Sequence, residues 1–173
     1  MYLTQGQFKG RKIKVPDGVK PTLSKVRESV FNMLTQFSFE DYSFLDMFSG
    51  SGLMSLEAIS RGYEATSLEI NKKNILTIKE NFKNIGLKPN IILANALNFK
   101  TDKKFEIIYL DPPWEMDYLP IIKKAKSLLK ENGVIIAEFD KERGFSMEEI
   151  LKDEKIEIIK NKKYGRALIS ILK

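Results

Sequence analysis

The sequence predicts an α/β domain: a doubly wound, mainly parallel sheet with an antiparallel C-terminal hairpin strand and a basic N-terminal extension. Three observations carry this. From Ser43 onward short apolar runs alternate with stretches of helical period. The first apolar run feeds a glycine-rich turn, Ser49-Gly50-Ser51-Gly52, ahead of a helix. The last two apolar runs have no helix between them and turn at Tyr164-Gly165. Repeated β-α units demand parallel pairing, with helices on both faces.

Gly6 to Val15 reads as a short hairpin or extended arm, and Pro16-Asp17-Gly18 as a turn. Thr22 or Ser24 is expected to cap a helix with the stripe Leu23, Val26, Val30, Leu34 and Phe37. Phe44 to Phe48 is a strand, and Leu53 to Arg61 a helix closed by Gly62. A second strand ends at Leu68-Glu69-Ile70. Asn71 caps a helix that stops at Gly86. Ile91 to Ala94 and Phe105 to Leu110 are the third and fourth strands. Asp117 caps the next helix, with Pro120 tolerated in its first turn. Val134 to Phe139 is a fifth strand, Ser146 to Leu151 a short helix, and Ile156 to Lys160 with Ala167 to Leu172 a closing strand pair. No internal repeat or low-complexity segment interrupts this order.

At 173 residues the chain suits one domain with a real core. Residues 1–40 are expected to form a basic arm and helix within that domain, and 41–173 its core. There are no cysteines and no histidines. That removes thiolate and Ser-His-Asp chemistry and argues against a zinc site. No apolar run approaches membrane-spanning length and no signal sequence opens the chain, so a cytoplasmic location is expected. The net charge of +6 is concentrated: Lys9, Arg11, Lys12, Lys14, Lys20, Lys25 and Arg27 face only Asp17 in the first 27 residues, and the remainder is neutral. A basic segment on a neutral body fits either a polyanion partner or a solvated arm.

Ligands of open α/β sheets bind beyond the carboxyl ends of the strands, and three features fall there. Asp46 to Gly52 links the first strand to its helix, and its glycines allow close backbone approach to a ligand. Glu69 follows Gly50 by 19 positions, near the roughly 20 of an acid that bonds a ribose hydroxyl. Together they suggest an adenosine-containing cofactor. The third glycine of a dinucleotide fingerprint is replaced by Ser55, so a nicotinamide cofactor is disfavoured. The last feature is Asp111-Pro112-Pro113-Trp114. Asp111 and Pro112 each precede a proline and are pushed to extended backbone. The turn is therefore stiff, rich in acceptors and poor in donors. A flat amine fits it, with Trp114 stacking on the ring. A strand-terminating turn with an indole lid is the plain structural alternative.

These residues resemble a known family. Asp46 to Gly52, Glu69 and the DPPW turn are similar to S-adenosylmethionine-dependent methyltransferases of exocyclic nucleobase amines. KPTLSKVRESVFNML (Lys20 to Leu34), FLDMFSGSGLMSLEAISRG (Phe44 to Gly62), LDPPW and KKYGRALISIL more closely resemble the RsmD-type bacterial 16S rRNA guanine-N2 methyltransferases, over nearly the whole chain. The sequence departs from that pattern in having Lys20 for arginine, Asn95-Ala96 for Asp-Ala, and Trp114 for phenylalanine or tyrosine.

The resemblance implies a Rossmann-like fold and a metal-free enzyme that converts S-adenosylmethionine to S-adenosylhomocysteine. Cofactor contacts are expected at Asp46, Phe48, Gly50, Gly52, Glu69, Ile70, Asn95 and Ala96. The amine is expected at Asp111, Pro112, Pro113 and Trp114. RNA phosphates are expected at Lys9, Arg11, Lys12, Lys14, Lys20, Thr22 and Arg27. The partner would be ribosomal RNA or the small ribosomal subunit, and a monomer is expected. A DNA amine methyltransferase would normally need a recognition domain that this chain has no room for. A small-molecule methyltransferase leaves the basic arm without a purpose. A non-catalytic RNA-binding assembly factor would not need the intact acids.

Overall fold

The computed structural model describes residues 1–113, 115–140, 142, 146–152 and 154–173. Its strands are β1 (Ser43–Asp46), β2 (Glu64–Glu69), β3 (Ile91–Leu93), β4 (Phe105–Leu110), β5 (Leu129–Asp140), β6 (Ile158–Tyr164) and β7 (Ala167–Leu172). Its helices are α1 (Ser24–Leu34), α2 (Leu53–Ser60), α3 (Lys72–Asn84), α4 (Tyr118–Leu128) and α5 (Met147–Ile150). One sheet holds all seven strands in the order β3-β2-β1-β4-β5-β7-β6. The first five pair in parallel, and β7 inserts antiparallel between β5 and β6.

Side chains alternate across each strand, so the apolar runs feed two cores. Leu45, Ile108, Leu110, Ile135 and Ala137 point to one face, against Ile121, Ile122 and Ala125 of α4. Phe44, Ile107, Tyr109, Val134 and Ile136 point to the other, against Val26, Val30 and Leu34 of α1.

Several boundaries differ from expectation. Neither Thr22 nor Ser24 caps α1: Leu23 occupies that position without a side-chain bond, and it is exposed. β5 begins at Leu129 rather than Val134, because Leu129 pairs with Phe105 ahead of a register shift and carries the strand through polar residues. β6 runs on to Tyr164, since an edge strand accommodates lysines that a central one would exclude. Asn71 and Asp117 cap their helices as expected, accepting from Lys73 N–H and Leu119 N–H.

The N-terminal arm is a folded hairpin. Leu3 N–H donates to the Arg11 carbonyl, Gly10 N–H to the Leu3 carbonyl, and Tyr2 bridges Lys12. Leu3 and Ile13 are buried against Leu53 and Leu56 of α2 and Ile78 and Phe82 of α3. At Gly6 a Cβ would lie 1.7 Å from the Ser60 carbonyl oxygen, so only glycine permits this approach. Helix α2 descends from Gly52 at the carboxyl edge to Ser60 at the opposite edge, about 12 Å for its length. The exposed Lys9, Arg11 and Lys12 therefore sit near the far edge.

Arg27 requires a correction. Its guanidinium is fully buried, with Nε donating to Glu57 Oε1 at 2.9 Å and Nη2 to the Tyr2 carbonyl and Ser24 Oγ. Glu57 also accepts from Thr4 N–H, Thr4 Oγ1 and Arg61. An arginine committed inside the domain is not available to RNA phosphates. Tyr2 of the arm and Glu57 of α2 close over an α1 side chain that the charge pattern left to solvent.

Candidate active site

Parallel register builds the site. Asp46 pairs with Tyr109, Leu110 with Ala137 and Glu69 with Leu93. Alternation then sends Asp46, Asp111 (two beyond Tyr109) and Glu138 (two beyond Ile136) to the face covered by α1. Three carboxylates emerge together at the carboxyl edge of β1, β4 and β5.

In one half of this edge, local donors surround the acids. Glu69 Oε2 accepts from Gly50 N–H at 2.8 Å and Oε1 from Asn71 N–H at 2.8 Å. The carboxylate thereby ties the glycine turn to the end of β2. Gly50 and Gly52 have positive φ, and a Cβ on Gly52 would meet Ile78 Cγ2 at 2.8 Å. Asp46 is buried and accepts from Ser55 Oγ at 3.2 Å and Phe48 N–H at 3.4 Å. Loss of water outweighs these bonds and pushes its carboxyl up to about 7. Phe48 spends its N–H on Asp46, and its half-buried ring packs on the core. Ile70 is 64% exposed beside Glu69, and Asn95 is exposed, its Oδ1 accepting from Leu97 N–H. Ala96 has its side chain buried in the core, which leaves its main chain for a ligand.

In the other half the acids face one another. The Asp111 carboxyl is held well above the ordinary carboxylate range, first by burial and then by the charges of Glu138 and Asp46; Lys20 and a bond from Thr22 oppose this. Glu138 is raised by burial, against its bond from Tyr109 and the charge of Lys20. Tyr109 Oη donates to Glu138 Oε2 at 2.6 Å. Thr22 thus turns toward Asp111, which departs from a phosphate contact, and Lys20 lies over the acids. Arg27 Nη1 donates to the Thr22 carbonyl, so the buried ion pair anchors this strap. Pro112 is buried and Pro113 exposed, its carbonyl accepting from Met116 N–H. Trp114 lies outside the described residues.

The family model described as conserved hypothetical protein 95 matches residues 1–173, the entire chain. The chain belongs to the RsmD family of methyltransferases. Among relatives, the ribosomal RNA small subunit methyltransferase D of Buchnera aphidicola (subspecies Acyrthosiphon pisum) is 37% identical over 83% of this chain and 80% of its own. That of Haemophilus influenzae is 31% identical over 74% and 69%. A solved Escherichia coli structure is 28% identical, covers 99% of this chain and 96% of its own, and has a TM-score of 0.82. The fold also matches an S-adenosylmethionine-dependent methyltransferase from Clostridium acetobutylicum, TM-score 0.69 at 14% identity over 85% of this chain and 89% of that one.

The cofactor of an RsmD-family enzyme is S-adenosylmethionine, and the residues present fit it. The turn at Gly50 and Gly52 leaves backbone bare of Cβ atoms, and Glu69 lies against that turn with acceptor oxygens. Ile70 and the 36% exposed Leu97 offer apolar walls for a flat purine. Among the described residues, no group of three or more carboxylates is placed to hold a metal, and no helix is long and apolar enough to cross a membrane.

Sequence reasoning missed Leu97, Tyr109 and Glu138. The signal for Glu138 was present: it is a lone acid inside a buried apolar run, at the same strand edge as Asp111.

Proposed function

We propose that this methyltransferase transfers a methyl group from S-adenosylmethionine to the exocyclic N2 amine of a guanine in 16S ribosomal RNA of the small subunit, releasing S-adenosylhomocysteine. The observation that carries the reading is Asp111. Thr22 holds its carboxylate at the strand edge, within electrostatic reach of Asp46. The names of the relatives support ribosomal RNA as substrate. The resemblance supports N2.

The cofactor supplies an electrophilic methyl carbon on a sulfonium. Everything else is the protein's work. An aryl amine is a poor nucleophile, because its lone pair is delocalised into the ring. As nitrogen gives that pair to carbon and the carbon–sulfur bond breaks, positive charge grows on nitrogen. Asp111 and the Pro112 carbonyl accept its N–H bonds and stabilise that charge. The raised proton affinity of Asp111 suits it to hold the departing proton. Trp114 stacks on the base, which is turned out of the RNA to reach this edge. Asp46 lies by the methionine end, Glu69 at the ribose, and Ile70, Asn95 and the Ala96 main chain at the adenine. Residues 1–40 face RNA, with Lys9, Arg11, Lys12, Lys14 and Lys20 as a track from the hairpin tip to the pocket that neutralises phosphates. The enzyme acts as a cytoplasmic monomer.

The test offers purified enzyme and labelled S-adenosylmethionine to small-subunit particles, free 16S RNA and duplex DNA, then maps the product by nucleoside mass spectrometry. N2-methylguanosine in the RNA is expected. Methyladenine or methylcytosine in DNA overturns the reading.

A further inference from the structure

Among bases with an exocyclic amine, guanine alone presents a second donor, ring N1–H, beside that amine. Adenine and cytosine present a ring-nitrogen acceptor there. A pocket that reads guanine therefore needs two acceptors side by side, and one that reads adenine needs an acceptor and a donor. The edge of β4 and β5 carries two carboxylates. Leu110 pairs with Ala137, so Asp111, just past the end of β4, lies beside Glu138, still within β5, about 4.8 Å away on the same face. Tyr109 Oη donates to Glu138 Oε2 at 2.6 Å, and Tyr118 Oη donates to the Glu138 carbonyl at 3.2 Å. Two phenols thus fix both ends of this residue.

We infer that Glu138 is the base-selecting residue of this site: it accepts guanine N1–H through Oε1 while Asp111 accepts from N2. This rests on the methyl-transfer reading above and adds the element that chooses the base. Tyr109 is a positioning residue, holding Oε2 so that Oε1 faces the base. An adenine or cytosine would set a ring-nitrogen lone pair against the Glu138 carboxylate, a repulsive contact that rejects the wrong base. The arrangement also explains why two acids are kept together at a cost. Each N–H of the guanine edge relieves a buried carboxylate, Asp111 being destabilised by the Glu138 charge as well as by burial and Glu138 by burial.

The experiment pairs Glu138→Gln with an altered base. 2-Aminopurine keeps the N2 amine but has a bare ring nitrogen at N1. Small-subunit RNA is ligated to carry guanosine or 2-aminopurine at the mapped target, reconstituted into particles, and methylated by each enzyme. Wild type should prefer guanosine by on the order of 10²-fold in kcat/KM, the range for losing a hydrogen bond to a charged group. In Glu138→Gln the introduced amide can turn its N–H toward the bare nitrogen. The variant should therefore lose about 10–100-fold on guanosine, the range for a hydrogen bond to a charged group. It should lose far less on 2-aminopurine, so that the preference narrows at least tenfold.

Equal losses on both substrates would mean a structural role only and overturn the inference, while N2-methylguanosine formation by wild type would leave the parent reading standing. Methylation of adenine or cytosine by wild type would overturn both. If Glu138→Gln proves unstable in thermal melting, Tyr109→Phe tests the same edge. Losing the orienting bond should lower kcat/KM for guanosine about tenfold and change 2-aminopurine by less than about twofold. Parallel losses there would again overturn it.

Discussion

Glu69 and Asp111 both follow from strands flanking β1, yet their surroundings are opposite. Glu69 is met by two main-chain N–H groups, from Gly50 and Asn71. Asp111 is met by Glu138 and Asp46, with Thr22 and Lys20 in partial compensation. The first arrangement is finished before any ligand arrives and suits a ligand that is the same in every turnover. In the proposed reaction, the second stores unfavourable electrostatics that incoming N–H groups would relieve most as charge develops on nitrogen, which is where stabilisation accelerates chemistry. On this proposal one edge divides into a half that binds and a half that reacts.

The sharpest way to break this division is Asp111→Ala. Turnover should fall by roughly 10³-fold or more, comparable to losing a preorganised electrostatic contact. Cofactor affinity by calorimetry should change less than about threefold; a matching loss of affinity would erase the distinction between the halves. Glu69→Ala should show the mirror image, with Kd for S-adenosylmethionine rising about 10–100-fold and kcat at saturation little changed. A fall in kcat alone would place Glu69 in the reacting half.

Asp46 joins the two halves, and its titration separates their demands. Its carboxyl is raised from 3.8 to about 7, so the folded state keeps a proton that the unfolded chain has released. Its contribution to stability is then greatest at low pH, falls between about pH 4 and 7, and is flat above, by at most about 4 kcal/mol. Asp46→Asn should lessen the fall in stability from pH 5 to 7 in denaturant titrations at pH 5, 6, 7 and 8, leaving the part that belongs to Asp111 and Glu138. Binding a sulfonium beside Asp46 favours its ionised form, so wild-type affinity should tighten several-fold from pH 6 to 8; a flat profile would separate Asp46 from the cofactor's charge. The smallest effect belongs to neither half. Lys9→Glu with Lys12→Glu should weaken RNA binding several-fold at physiological salt and flatten its salt dependence, with cofactor affinity unchanged.

The glycine turn, Glu69 and the Asp-Pro-Pro turn are legible in sequence because each is a local pattern at a strand end. Phe105 to Leu110 is legible to the residue, since a buried strand between polar turns has sharp limits. What is not legible depends on distant pairing. Arg27 looks like one more charge in a basic segment, and its counter-ion Glu57 is 30 residues away. The warning is Glu57 itself, the single charge in Leu53 to Ser60, which a buried helix cannot carry alone. Ala96 belongs to a motif, but the motif does not say which way a side chain turns.

The Arg27–Glu57 pair also constrains the order in which the molecule comes together. A growing chain releases Arg27 well before Glu57. Until the second charge exists, burying the first without its mate costs about 3–5 kcal/mol. The arm and α1, though made before α2, therefore cannot settle until α2 has been synthesised. The strap bearing Lys20 and Thr22 closes over a sheet edge only after that edge has begun to form, so a segment made before the sheet finds its place after it.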